Sequence, residues 1–191
     1  MPTQVAIFQE MRSKTFNEQK DAFHLFDSLP TVPVEFMMGM WKGSGFCTGH
    51  TMDGALETFN WYGKSFEDPE NVHPLVFQSF TKKLFKVNPI LMPVRLATLI
   101  PSKNLWPLKY LFLCVRFLFQ TSKSKARVRL TEYRGKVSAT MMYDQLPIND
   151  VFRKVDDNTL LGCMDFKGMK QPFFFVLERV MAMQGSNDTK I

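Results

Sequence analysis

From Ala126 to Arg179 apolar and polar residues alternate, and turn signals break the alternation about every ten residues. No other part of the chain limits the available folds as strongly. Arg127-Val128-Arg129-Leu130-Thr131 alternates as a strand does, Arg134-Gly135 forms a hairpin turn, and Val137, Ala139, Met141 and Tyr143 interleave with Ser138, Thr140, Met142 and Asp144. Pro147 to Arg153 is a further strand closed by Asp156-Asp157-Asn158, and residues 159–165 and 172–180 form a last hairpin around Lys167-Gly168. Shorter strands are predicted over 34–42, Tyr62–Phe66, Val76–Phe80 and Leu84–Val87. About eight to ten strands in consecutive hairpins imply an antiparallel meander or barrel.

Gly39-Met40-Trp41-Lys42-Gly43-Ser44-Gly45-Phe46 follows the apolar run Phe36-Met37-Met38. Without a Cβ the glycines let a strand bend while Trp41 packs across the floor of a sheet, as the closed end of a small ligand-holding barrel requires. The stretch resembles the family named for its Gly-X-Trp-X-Gly motif, and the likeness runs on through Thr48-Gly49-His50, Trp61 to Phe66 and His73-Pro74-Leu75. A second block, from Arg127-Val128-Arg129 through Tyr133 to Asp144, Pro147-Ile148 and Phe152 to Asp156, resembles the uncharacterised domain that usually follows in that family. The resemblance implies a relationship and transfers no established activity. The glycine-flanked tryptophan is also similar to that of lipocalins, fatty-acid-binding proteins and nitrobindins, which implies a calycin-like barrel.

Between the two blocks the character changes. Residues 90–120 are strongly apolar, interrupted by Pro93, Pro101 and Pro107 and carrying Lys109 and Arg116, so a clean transmembrane helix of about 20 residues is not available. One or two helices capping a barrel mouth are preferred here over a membrane-surface helix, and either makes residues 94–120 a lid. Near the N-terminus, Thr15-Phe16-Asn17-Glu18 has the form of a capping box and Ala22, Phe23, Phe26 and Leu29 fall at helical spacing. A helix is therefore predicted over 16–28. The organisation expected is mainly β: one domain over 1–191, with that helix, a first β block at 34–88, an inserted apolar helical lid at 90–120 and a second β block at 126–180.

A net charge of +6 raises nucleic acid or anionic membrane as partners, but the basic residues are scattered and no nucleic-acid motif accompanies them. Nucleic acid is not expected, whereas transient contact with a membrane surface through 94–120 is. Cys47, Cys114 and Cys163 are widely spaced, so neither a zinc site nor a disulfide framework is indicated. The N-terminal residues lack a basic segment followed by an apolar core, which makes a cytoplasmic location the default.

The usual hydrolase, zinc and dinucleotide motifs are absent, and Gly63-Lys64-Ser65 lacks the earlier glycine of a phosphate loop. What remains is a set of polar residues within β alternation. His50 is open to two roles, as an acid or base in a pocket or as a buried histidine tied to a carbonyl. Tyr143 and Asp144 are the other catalytic candidates, one of them inward and the other outward depending on register. An inward Asp144 needs a cation such as Arg129 or Arg153. Trp41, Tyr62, Lys64, Arg129 and Arg153 are the ligand-binding candidates. Two functions follow: binding of a hydrophobic small molecule in an enclosed barrel lumen, or a cofactor-independent isomerase, cyclase or oxygenating enzyme acting on such a molecule with His50 as acid or base. No cofactor is expected, haem with His50 as axial ligand being the narrow exception, and no metal.

Overall fold

The computed structural model describes residues 3–92 and 106–181. Nine antiparallel strands form one sheet: β1 (Gly39–Gly45), β2 (Trp61–Phe66), β3 (Val72–Gln78), β4 (Leu84–Lys86), β5 (Ala126–Tyr133), β6 (Lys136–Tyr143), β7 (Ile148–Lys154), β8 (Thr159–Phe166) and β9 (Phe173–Arg179). The order is β2-β1-β9-β8-β7-β6-β5-β3-β4, and β2 also pairs with β3, which closes the sheet into a ring. Strands from both β blocks therefore interleave, with β1 against β9 and β3 against β5. The β3–β5 seam is narrow: Val72 faces Ala126, Lys125 N–H donates to the Val72 carbonyl at 3.1 Å, and Val128 N–H to that of Pro69 at 2.9 Å.

Alternation sorts the side chains of each strand between two cores. Phe173, Phe175 and Leu177 of β9 join the inner cluster with Trp41, Trp61, Phe66, Met141 and Phe152, while Phe174 and Val176 join an outer one. That outer cluster is completed by α1 (Gln4–Ser13) and α2 (Gln19–Ser28), whose Phe8, Met11, Leu25 and Phe26 cover β7 to β9. Those strands are consequently buried on both faces. The Arg134-Gly135 turn between β5 and β6 has both residues in the left-handed region, at φ 54° and 74°, the geometry of a two-residue hairpin.

Several predicted boundaries move for identifiable reasons. The helix predicted over 16–28 starts at Gln19 because Asn17 is used elsewhere: its side-chain amide donates to the carbonyls of Met11 and Cys47, tying both helices to the end of β1. The start of the strand predicted over 34–42 is instead a 3₁₀ turn, Val34–Met37, lying against β5 and β6 at one end of the ring. Beside it Pro30 and Val32 wedge between the splayed ends of β6 and β7, where Lys154 N–H donates to Pro30 and Ala139 N–H to Val32. The predicted strand Val76–Phe80 is observed as Val72–Gln78, because β2 pairs with the earlier residues.

At the opposite end lie the single turn α3 (Ala55–Thr58) and α4 (Trp106–Val115). Phe112 of α4 is buried and meets the rings of Phe59, Phe77, Phe85 and Phe119 at centroid distances of 5.1–6.3 Å. The part of the predicted lid at 93–105 lies outside the described residues. Among the described residues no helix is long and apolar enough to cross a membrane.

Candidate functional site

Gly63 brings β1 and β2 unusually close. Its φ is +149°, and a Cβ there would stand 1.9 Å from the Trp41 carbonyl oxygen. The pairing of β2 with β3 shifts register on either side of Gly63, and this irregularity accompanies the turn of Lys64 inward beside Trp61 and Phe66. Gly43 of β1 leaves the space that the Trp61 ring occupies, since a Cβ on it would fall 1.9 Å from that ring. Of the motif's glycines, then, Gly43 admits a second tryptophan to the interior.

Lys64 and Asp150 meet inside the ring. They come from β2 and β7, which are separated by three strands in either direction (β1, β9, β8 one way and β6, β5, β3 the other). Lys64 Nζ donates to Asp150 Oδ2 at 2.7 Å and to the Pro74 carbonyl at 3.3 Å, and the two side chains are only 3% and 1% exposed. Such a pair is desolvated on both sides and differs from a surface ion pair in cost and consequence. Aromatic faces complete its surroundings: Nζ lies 5.0 Å from the Phe175 ring centroid, 5.4 Å from Trp61 and 5.8 Å from Tyr143. Phe152 joins Phe66 and Phe175 edge to face at 6.1 and 6.2 Å.

One polar atom of the pair and one of the Trp61 ring beside it are buried and lack a hydrogen-bond partner among the described residues, Asp150 Oδ1 and Trp61 Nε1. Burial pushes the Asp150 carboxyl up, against the opposing pull of Lys64. It also holds the Tyr143 phenol well above its ordinary value, with the Asp150 charge adding to the effect. The arrangement offers an acceptor and a donor to a guest.

The residues singled out from the sequence are dispersed. Lys64 is central and Tyr143 is inward and half-buried, which settles the register of β6 and leaves Asp144 exposed. Trp41 lies fully buried at the opposite end from α4, its Nε1 donating to Met37 at 2.7 Å and its ring under the Arg179 guanidinium at 4.2 Å. Tyr62 is half-buried on β2. Arg129 is on the surface, hydrogen-bonded to Pro69 and paired with Glu70. Arg153 is fully buried but on the outer face, donating to the Phe152 and Tyr133 carbonyls and stacked 4.7 Å from the Phe26 ring of α2.

His50 has both ring nitrogens engaged by backbone: Nε2 meets the Gln171 carbonyl at 3.1 Å and Nδ1 accepts from Met52 N–H at 3.1 Å. That is the carbonyl-tied role left open above, with the proton on Nε2. Burial lowers the imidazole below its ordinary 6.5. The unfolded chain therefore takes up a proton near pH 6.5 that the folded chain refuses until lower pH, so stability falls as pH drops through that window. Urea midpoints measured on either side of pH 6.5 should show this loss, and His50→Gln should reduce it.

Asp150 is the residue that reading from the sequence passed over. A signal was present, since Ile148, Asp150 and Phe152 share one face of an alternating strand and a carboxylate on an apolar face demands a partner. Among the described residues no group of three or more His, Cys, Asp or Glu side chains could hold a metal ion.

Fold and site together define a class: an antiparallel β-sheet closed into a ring, barrel-like, with an ion pair sealed in its aromatic interior. Residues 24–81 match the family described as GXWXG protein, and residues 124–179 match the one described as Domain of unknown function (DUF4334). The two matches stand in the order that the resemblance implied, the GXWXG motif first and the uncharacterised domain behind it. It is also similar to the crystal structure of a protein from Thermomonospora curvata, at 29% identity, covering 93% of this chain and 99% of that one, with a TM-score of 0.69. No curated protein matches it.

Proposed function

We propose that this protein binds a hydrophobic small molecule inside the barrel, as a calycin-like carrier, with α4 as a lid over one end. The observation that carries the reading is the presence of two buried polar atoms without a hydrogen-bond partner among the described residues, Asp150 Oδ1 and Trp61 Nε1, one in an ion pair and one in a ring beside it, within an aromatic interior. Buried polar groups are normally hydrogen-bonded, and leaving each unmade costs about 1–3 kcal/mol. A guest with an apolar body and one polar group offsets that cost, and the aromatic walls suit its body.

A cytoplasmic carrier of this kind meets apolar cargo at membranes, and the surface beside α4 supports such contact. Tyr110, Leu111, Phe117 and Leu118 are exposed there, next to an open groove of about 530 Å³ whose lining includes Lys83, Lys86 and Arg116. A second reading, a cofactor-independent enzyme, draws its support from Tyr143 and Asp150, a phenol and a carboxyl whose proton affinities are both raised by burial in one apolar space.

Native mass spectrometry of gently purified protein tests the carrier reading. A small apolar molecule should accompany the folded chain and leave on denaturation, and Trp61→Phe should weaken binding of a neutral fluorescent probe that carries a hydroxyl about tenfold through loss of one hydrogen bond. A chain that carries nothing and binds no neutral apolar probe would sink it.

A further inference from the structure

We infer that the molecule held in the barrel is a neutral apolar alcohol rather than a fatty carboxylate. This rests on the carrier reading and follows from an inventory of the interior. The Lys64 ammonium is already matched by Asp150 at 2.7 Å, spends a second donor on the Pro74 carbonyl, and otherwise faces aromatic rings. One positive and one negative charge leave the pair neutral. A ligand carboxylate would bring a second negative charge into a desolvated space beside Asp150, with Lys64 already taken, and it could supply nothing to Asp150 Oδ1. Among the described residues, the buried atoms of this pair and of the Trp61 ring that lack a partner are an acceptor, Asp150 Oδ1, and a donor, Trp61 Nε1.

Ligand chemistries differ in how they meet that pair of needs. A ketone, aldehyde or ether accepts from Trp61 but gives Asp150 nothing. A hydroxyl both donates and accepts, so an alcohol or phenol on an apolar skeleton is the simplest group that can serve either atom. A site built to hydrogen-bond a hydroxyl also rejects analogues that lack one, because its own buried groups then stay unpaired.

The test is displacement of the neutral dye N-phenyl-1-naphthylamine by 1-decanol, decanoate and decyl methyl ether at pH 8. Decanol should displace the dye at a concentration about tenfold below that needed for either of the others, one hydrogen bond's worth of discrimination. Asp150→Asn should invert the order of decanol and decanoate by releasing the Lys64 charge to a ligand carboxylate. Should that variant fail to fold, the wild-type ranking decides alone. Decanoate or the ether equalling decanol on the wild-type protein overturns the inference and leaves the carrier reading standing. Failure of the dye and all three ligands to bind overturns the carrier reading itself.

Discussion

Asp150→Ala is expected to destabilise the protein by about 3–5 kcal/mol, because it strands the Lys64 ammonium in an interior with one remaining carbonyl contact. A loss of that size would consume much of the stability of a chain this long. The expectation depends on both partners being desolvated, and urea denaturation of the purified variant measures it. The double variant Lys64→Met/Asp150→Leu separates the cost of a stranded charge from the worth of the pair. Apolar replacements of similar size often match or exceed the stability of a buried ion pair. The double variant should therefore fold about as well as the wild type and lose its selectivity for decanol. A stable protein that has lost its ligand preference would mark the pair as retained for recognition. If Asp150→Ala costs under about 1 kcal/mol, the value of a surface pair, the ion pair is in contact with solvent and its role here is misread.

The second large effect is expected at Gly63. Gly63→Ala would place a methyl 1.9 Å from the Trp41 carbonyl oxygen and 2.9 Å from the Gly43 nitrogen, on a backbone at φ +149°. Both obstacles are main-chain atoms of the paired strand, so no side-chain rotation relieves them. The variant should be insoluble or lose more than about 3 kcal/mol. Gly135→Ala is the control: its φ is +74°, but nothing lies within 4 Å of the added Cβ, and the penalty should stay near 1 kcal/mol. Comparing the two thermal midpoints separates backbone strain from steric collision. Equal losses would mean that β1 and β2 are not held as closely as described.

Much of the architecture was legible in the sequence because hairpin strands signal themselves locally. The alternation at Val137, Ala139, Met141 and Tyr143 follows directly on the turn at Arg134-Gly135, the turn at Lys167-Gly168 adjoins the strands it connects, and β5 to β9 appear close to where they were expected. The N-terminal helices were less legible. Asn17 serves contacts with Met11 and Cys47 that local propensity does not foresee, and α1 buries Phe8 and Met11 against strands more than a hundred residues away.

The candidate site divides in the same way. Lys64, Tyr143 and Trp41 could be singled out as polar or aromatic residues set in strands, but which of them meet depends on the closure of the ring. Arg153 and Arg129 looked equivalent from spacing, yet one is sealed beneath α2 and the other pairs on the surface. Sequence by itself determined the strand periodicity, the family resemblance and the Gly-X-Trp-X-Gly motif, since each is a property of neighbours along the chain. Only the tertiary structure decided that Lys64 finds Asp150, 86 residues away, and leaves Asp150 Oδ1 and Trp61 Nε1 to be satisfied. Register and closure are set by packing summed over the whole ring, and a one-residue slip would turn each of these side chains to the opposite face.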